Sequence, residues 1–164
     1  MSHAHEGPRR AVRVFVVTCS DSRTPDDDES GQLAERMLLE AGHQPLGRVV
    51  VRDEPAQLVR LFREALPAEA EAVVVNGGTG ISRRDRTFDA LARLLEKRFD
   101  GFGELFRMLS YAQVGAAAML SRATAGLWEG RVVFSVPGSP QAVRLALEKL
   151  ILPELAHAVR EAAK

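Results

Sequence analysis

The chain has 164 residues, 46% of them apolar and 27% charged, and its twenty-two basic side chains balance twenty-two acidic ones. That mix is the signature of a folded globule about the size of one domain rather than a disordered chain. A net charge of zero argues against a protein that coats nucleic acid or an anionic membrane. Cys19 stands alone, which excludes an internal disulfide and a Cys-rich zinc site. No apolar run reaches the length of a membrane span, and no signal-peptide core precedes the first strand, so the expected compartment is the cytoplasm.

Residues 1–10 read as a disordered N-terminal tail and 11–164 as a single domain. The β-branched run Val12 to Thr18 has the length of a buried strand, and a polar stretch from Cys19 to Glu29 follows it. Ser30 is placed to cap a helix that runs to Glu40 and stops at Gly42. Leu46 to Val51 is a second strand. Pro55 opens a helix with Leu58, Leu61, Phe62 and Leu66 on one face. Ala72 to Val75 is a third strand, which enters the glycine run Gly77-Gly78-Thr79-Gly80. Thr87 begins a helix with Leu91, Leu94 and Leu95 inward, and Gly101 and Gly103 are expected to break the chain before a helix over 104–112. Ala123 to Leu127 and Arg131 to Val136 flank Glu129-Gly130 as a hairpin. A last helix follows Pro137-Gly138-Ser139-Pro140, kinked or interrupted at Pro153.

Alternating strands and helices predict an α/β fold, a three-layer α/β/α sandwich around a mostly parallel sheet. Ligands of such sheets bind beyond the carboxyl ends of the strands. Four polar segments follow strands: Ser20 to Thr24, Asp53-Glu54, Gly77 through Asp85, and Pro137 to Pro140. The fold is expected to gather them on one rim. Three glycines in four residues tolerate positive φ and let the backbone approach a ligand, and successive N–H groups in such a loop cradle an anion. The run contains neither GxxxxGK[ST] nor GxGxxG, so it is no P-loop or dinucleotide fingerprint, and a plain strand-to-helix turn is the alternative reading.

Asp53 and Asp85 both follow strands and can converge, which suits Mg²⁺ held by two carboxylates plus phosphate. The alternative for Asp53 is a cap on the helix that Pro55 opens. Asp26-Asp27-Asp28-Glu29 lacks the glycine of an EF-hand loop and reads as a solvated loop. His43 and His157 have no metal-ligand spacing, and Trp128 reads as core.

The strings VTCSDSRTPDDDESG, VVNGGTGISRRDRTFDA, GFGELFRMLSYAQVGAAAMLSRATAG and VVFSVPGSPQAVRLALE together resemble the MoaB/MogA family of molybdenum cofactor biosynthesis, related to the gephyrin G domain. They cover most of residues 12 to 150 in the family's order, and the SDxR, GFGELFRMLS and PGSP segments resemble its MoaB branch. The resemblance implies a cytoplasmic protein that binds molybdopterin and assembles as a homotrimer or homohexamer. It implies that active members adenylylate molybdopterin with MgATP, releasing pyrophosphate. Carried over by position, Asp53 and Asp85 are the essential aspartates and Mg²⁺ ligands. Gly77, Gly78, Thr79 and Gly80 receive phosphate, and Ser110, Ser121, Pro137, Gly138 and Ser139 line the pocket. Ser20 and Asp21 are further candidate substrate contacts. Because both aspartates are present, the chain is expected to be a nucleotidyltransferase. A molybdopterin carrier or assembly protein without turnover is the alternative.

Overall fold

A computed structural model describes residues 10–164. The expected tail lies outside them except for Arg10, whose guanidinium pairs with Glu71. The elements in chain order are β1 (Arg13–Cys19), α1 (Glu29–Glu40), β2 (Gln44–Val51), α2 (Pro55–Arg60), β3 (Ala72–Asn76), α3 (Thr87–Leu94), β4 (Lys97–Arg98), α4 (Asp100–Val114), β5 (Thr124–Trp128), β6 (Arg131–Val136), α5 (Pro140–Ala146) and α6 (Leu152–Ala162). Wide helical turns at Leu61–Ala65 and Leu147–Ile151 extend α2 and join α5 to α6, and a 3₁₀ segment, Gly115–Leu120, follows α4.

The strands form one six-stranded sheet in the order β2-β1-β3-β6-β5-β4. Strands β2, β1, β3 and β6 are parallel, β5 runs antiparallel to β6, and β4 antiparallel to β5. Successive side chains of a strand face opposite sides, so both faces of the sheet are apolar and each takes a layer of helices. Val14 and Val16 of β1 join Leu38, Phe106, Ile151 and Leu155 on one face. Phe15, Val17 and Cys19 join Leu58, Phe62, Leu91 and Trp128 on the other. Each fully buried large aliphatic or aromatic side chain contributes about 1.5–3 kcal/mol. Trp128 packs edge-on against Phe62, with ring centroids 5.2 Å apart, and belongs to the core as its sequence context suggested. Glu129 and Gly130 both take positive φ, the geometry of a tight turn between twisted strands, and they close the β5–β6 hairpin.

Three expectations are corrected. Asp28, not Ser30, caps α1: its carboxylate accepts from Gly31 N, while Ser30 Oγ donates to Gly138 O at 2.6 Å. Asp28 is therefore buried and also takes Thr18 Oγ1 and Arg48, so the acidic run is not simply a solvated loop. Gly101 and Gly103 lie inside α4 rather than before it. A Cβ on Gly103 would stand 2.5 Å from Ala123 O, so the glycine lets the helix lie against the strand, a tertiary gain that overrides its helix-propensity cost of about 1 kcal/mol. The expected interruption of the last helix is present: Pro153 sits in the first turn of α6, directly after the wide turn Leu147–Ile151.

Candidate functional site

In the sheet, β1 is flanked by β2 and β3, so the strand order switches direction between β1 and β3, and a crevice opens at their carboxyl ends. The segments that follow β1, β2, β3 and β6 meet there. Ser20 N donates to Val51 O at 2.9 Å, and Gly77 N donates to Val136 O at 3.0 Å.

The glycine loop forms the floor. Gly77 has φ +95° and Gly78 φ +69°, conformations that side chains with a Cβ rarely adopt. The space around them is as restrictive as the backbone. A Cβ on Gly77 would fall 2.2 Å from Cys19 O, and one on Gly78 would fall 2.4 Å from Thr87 Cβ and 3.0 Å from Asp53 Oδ1. Gly138 closes over the same loop, since its added Cβ would come within 3.2 Å of Gly77 Cα. Ser139 is committed to α5, whose N-terminus it caps by accepting from Ala142 N. Thr79 is buried, and its carbonyl accepts from Arg122 N at 3.1 Å.

Asp53 and Asp85 flank this loop at Gly78 and Gly80. Asp53 is buried and does not cap α2, whose N-cap is Glu54. Its Oδ1 reaches across to α3 instead and accepts from Thr87 N at 3.1 Å and Thr87 Oγ1 at 2.5 Å. Asp85 Oδ2 accepts from Ser82 N at 2.9 Å and Ser82 Oγ at 2.5 Å, and a Cβ on Gly80 would strike this carboxylate at 2.6 Å. Each aspartate thus spends one oxygen on the fold. The second oxygen of each takes no hydrogen bond from the described residues.

Asp21 stitches the rim together: Oδ1 accepts from Asp53 N at 3.2 Å, and Oδ2 accepts from Arg84 Nη2 at 2.5 Å and Nε at 3.0 Å. The Arg84 hydrogen bond, aided by Asp53 N–H, holds the Asp21 carboxyl below its ordinary range. Arg84 is thereby spent, whereas Arg83 and Arg86 form no ion pair among the described residues. Ser20 Oγ accepts from Ser22 N and Arg23 N, ordering the turn after β1. Cys19 lies beneath the loop, where burial pushes its thiol up to about 12 despite a hydrogen bond with Thr87. It is a packing residue, not a nucleophile.

Ser121 precedes Arg122, which bonds to the loop, and lies in a cavity of about 450 Å³ that Phe88, Arg107 and Met119 also line. Ser110 belongs to α4. It is half-buried in the C-terminal half of α4 and bonds to none of the residues above. Sequence reasoning passed over Asn76, Thr87 and Arg122. Asn76, fully buried at the end of β3, donates to Thr18 Oγ1 and Val17 O, but its Oδ1 has no partner. A polar residue closing an otherwise apolar strand was the available signal. For Thr87 and Arg122 there was none, because their roles depend on distances across the fold.

Residues 15–157 match the family described as "Probable molybdopterin binding domain". The chain belongs to this family of molybdenum cofactor biosynthesis proteins. It is 49% identical over 164 residues to molybdenum cofactor biosynthesis protein B of Bacillus subtilis, covering 99% of this chain and 96% of that one. A crystal structure of a molybdenum cofactor biosynthesis protein B superposes with TM-score 0.87 at 48% identity, over 94% of this chain and 97% of the other. The tungsten cofactor synthesizing protein MoaB from Pyrococcus furiosus superposes with TM-score 0.85 at 36% identity, over 96% of this chain and all of that one. The α/β sandwich read from the sequence is thus the fold of the MoaB/MogA proteins.

Proposed function

We propose that the chain binds molybdopterin and adenylylates it with MgATP, giving molybdopterin-AMP and pyrophosphate. The observation that carries this reading is the pair of half-committed aspartates on either side of a backbone-lined anion cradle. The terminal phosphate of molybdopterin rests on the amides of Gly78, Thr79 and Gly80, since that of Gly77 is already given to Val136 O. One of its oxygens attacks the α-phosphorus of ATP; the new bond is P–O–P between the two substrates, and the bond from the α-phosphorus to the bridging oxygen of pyrophosphate breaks. Such a transfer asks the protein for position and charge compensation rather than for a nucleophile of its own. A site of glycines, carboxylates and hydroxyls, with its one thiol kept protonated, supplies that.

Among the described residues, no three His, Cys, Asp or Glu side chains gather into a metal cluster. The free oxygens of Asp53 and Asp85 nonetheless suit Mg²⁺ that arrives with nucleotide, since this ion takes one or two carboxylates and fills its remaining positions with phosphate and water. When bound, it neutralises charge on the phosphates. Thr87 keeps Asp53 aimed at the loop, and Ser82 does the same for Asp85. Ser20, Asp21, Ser110, Ser121 and the Pro137–Ser139 turn border the substrates.

The expected outcome for Asp85→Ala is a hundredfold or greater loss of MgATP-dependent pyrophosphate release, with molybdopterin affinity kept within about threefold. Wild-type protein that binds molybdopterin identically with and without MgATP, and releases no pyrophosphate, would make it a carrier instead.

We further propose that the chain assembles as a homotrimer or a pair of trimers. Supporting this, α4 exposes Leu105, Met108 and Tyr111 at a spacing of three, and Val114, Met119 and Leu120 extend the apolar stripe. Contiguous apolar surface of this kind marks an interface.

A further inference from the structure

Arg122 lies behind the glycine loop, and every nitrogen of its guanidinium is engaged there. Nε donates to Gly80 O at 3.0 Å, Nη2 to Asp85 O at 2.7 Å and Nη1 to Asp89 Oδ1 at 3.0 Å. Its backbone N–H holds Thr79 O, and the guanidinium carbon lies 4.6 Å from the centroid of the Phe88 ring. One residue of the segment before β5 thus secures three carbonyls, those of Thr79, Gly80 and Asp85, in and just after a loop that begins at Gly77.

We infer that Arg122 is the positioning residue that sets the polarity of the anion cradle. A glycine-rich loop can rotate its peptide planes at little steric cost. A rotated peptide presents a carbonyl oxygen where an amide should be, and a phosphate would then meet a negative dipole instead of a donor. Arg122 draws the carbonyls of Thr79, Gly80 and Asp85 to the back of the loop, leaving its amides free to face the crevice. The same bond to Asp85 O fixes the backbone that carries the Asp85 carboxylate. A planar fork with several fixed donors is needed, because an ammonium group on a flexible stem cannot span Gly80, Asp85 and Asp89 together. Three of the five guanidinium N–H groups, one from each nitrogen, are committed in this way.

The inference rests on the loop being the phosphate cradle, but its test need not involve turnover. The amides of Asp85, Thr87 and Phe88 are hydrogen-bonded to Ser82 O, Asp53 Oδ1 and Gly78 O, so their hydrogen exchange reports the order of the loop. In Arg122→Lys these three amides should exchange at least tenfold faster in ligand-free protein, while those of β1 and β3 keep their wild-type protection. Molybdopterin affinity should fall about tenfold. Asp89→Asn, which loosens only the outer arm, should change loop exchange less than threefold. Wild-type loop exchange in Arg122→Lys would overturn the inference, and so would a uniform rise across the strands, which marks a stability role alone. If Arg122→Lys does not fold, Phe88→Leu removes the ring beneath the guanidinium and leaves the amides of Asp85 and Thr87 as unsubstituted reporters. A local rise in the same amides supports the assignment, and none refutes it. A wild-type protein that binds molybdopterin but releases no pyrophosphate would sink the adenylylation reading and leave these exchange results standing.

Discussion

Asp53 shows how much the setting of one side chain depends on its neighbours. A carboxylate followed two positions later by proline suggests a cap on the adjacent helix, yet Glu54 occupies that position and Asp53 bonds to the start of α3 instead. Its chemical type and its place after β2 could be read from the sequence. The choice of Thr87 as partner could not, because it depends on how α2 and α3 sit side by side. Thr87→Val removes the hydroxyl donor and should cut turnover more than it weakens molybdopterin binding, which steady-state kinetics and titration separate. Gly78→Ala combines positive φ with a clash, so it should cost about 1–2 kcal/mol for the backbone alone and abolish molybdopterin binding by titration. Cys19 provides a pH test. Its folded pKa of about 12 exceeds the ordinary 9.0, so the native state keeps a proton that the unfolded chain releases. The associated stability is complete below pH 9.0 and is lost as pH rises towards 12. Denaturant titrations of Cys19→Ala should show a flatter alkaline decline.

Among the elements, strands were the easiest to foresee because their β-branched runs are buried on both faces, and the four parallel strands and the hairpin fall close to where the pattern put them. Helix ends were harder. Gly103 inside α4 and Asp28 at the head of α1 both answer to tertiary contacts, with Ala123 O in one case and Thr18 and Arg48 in the other. Asp28→Ala should therefore cost about 2 kcal/mol or more, beyond the roughly 1 kcal/mol of an ordinary lost cap, because it also removes the buried acceptor of Thr18 Oγ1 and one of the two carboxylates that pair with Arg48. Chemical denaturation measures this directly. At the other end of α1, His43 Nδ1 accepts from Val12 N at 3.2 Å and so ties the helix exit to the start of β1. Burial lowers its pKa below the ordinary 6.5, so the folded state resists protonation. That stability is present above 6.5 and is lost as pH falls through the lowered folded value. His43→Gln should flatten the acid limb of a stability profile.

For the molecule as a whole, the sheet order places the rim at the junction of β1 and β3; the alternation of strands and helices was enough to assign it to the carboxyl ends of the strands, whereas the strand order depends on which strands pair across the fold. The apolar face of α4 was not foreseen as a surface, since its periodicity is that of any half-buried helix; only packing shows that Leu105, Met108 and Tyr111 point away from the core. Met108→Asp should shift the protein to monomer in sedimentation velocity while leaving its circular dichroism unchanged. The bond from Ser30 Oγ to Gly138 O and that from Gly77 N to Val136 O join the first helix and the central loop to a strand made near the end of synthesis. A chain still on the ribosome, or one cut short before β6, therefore has its aspartates and glycines but no crevice to hold them in. Ligand capture then requires the completed sheet, and a chain truncated ahead of β6 should bind no ligand in a titration.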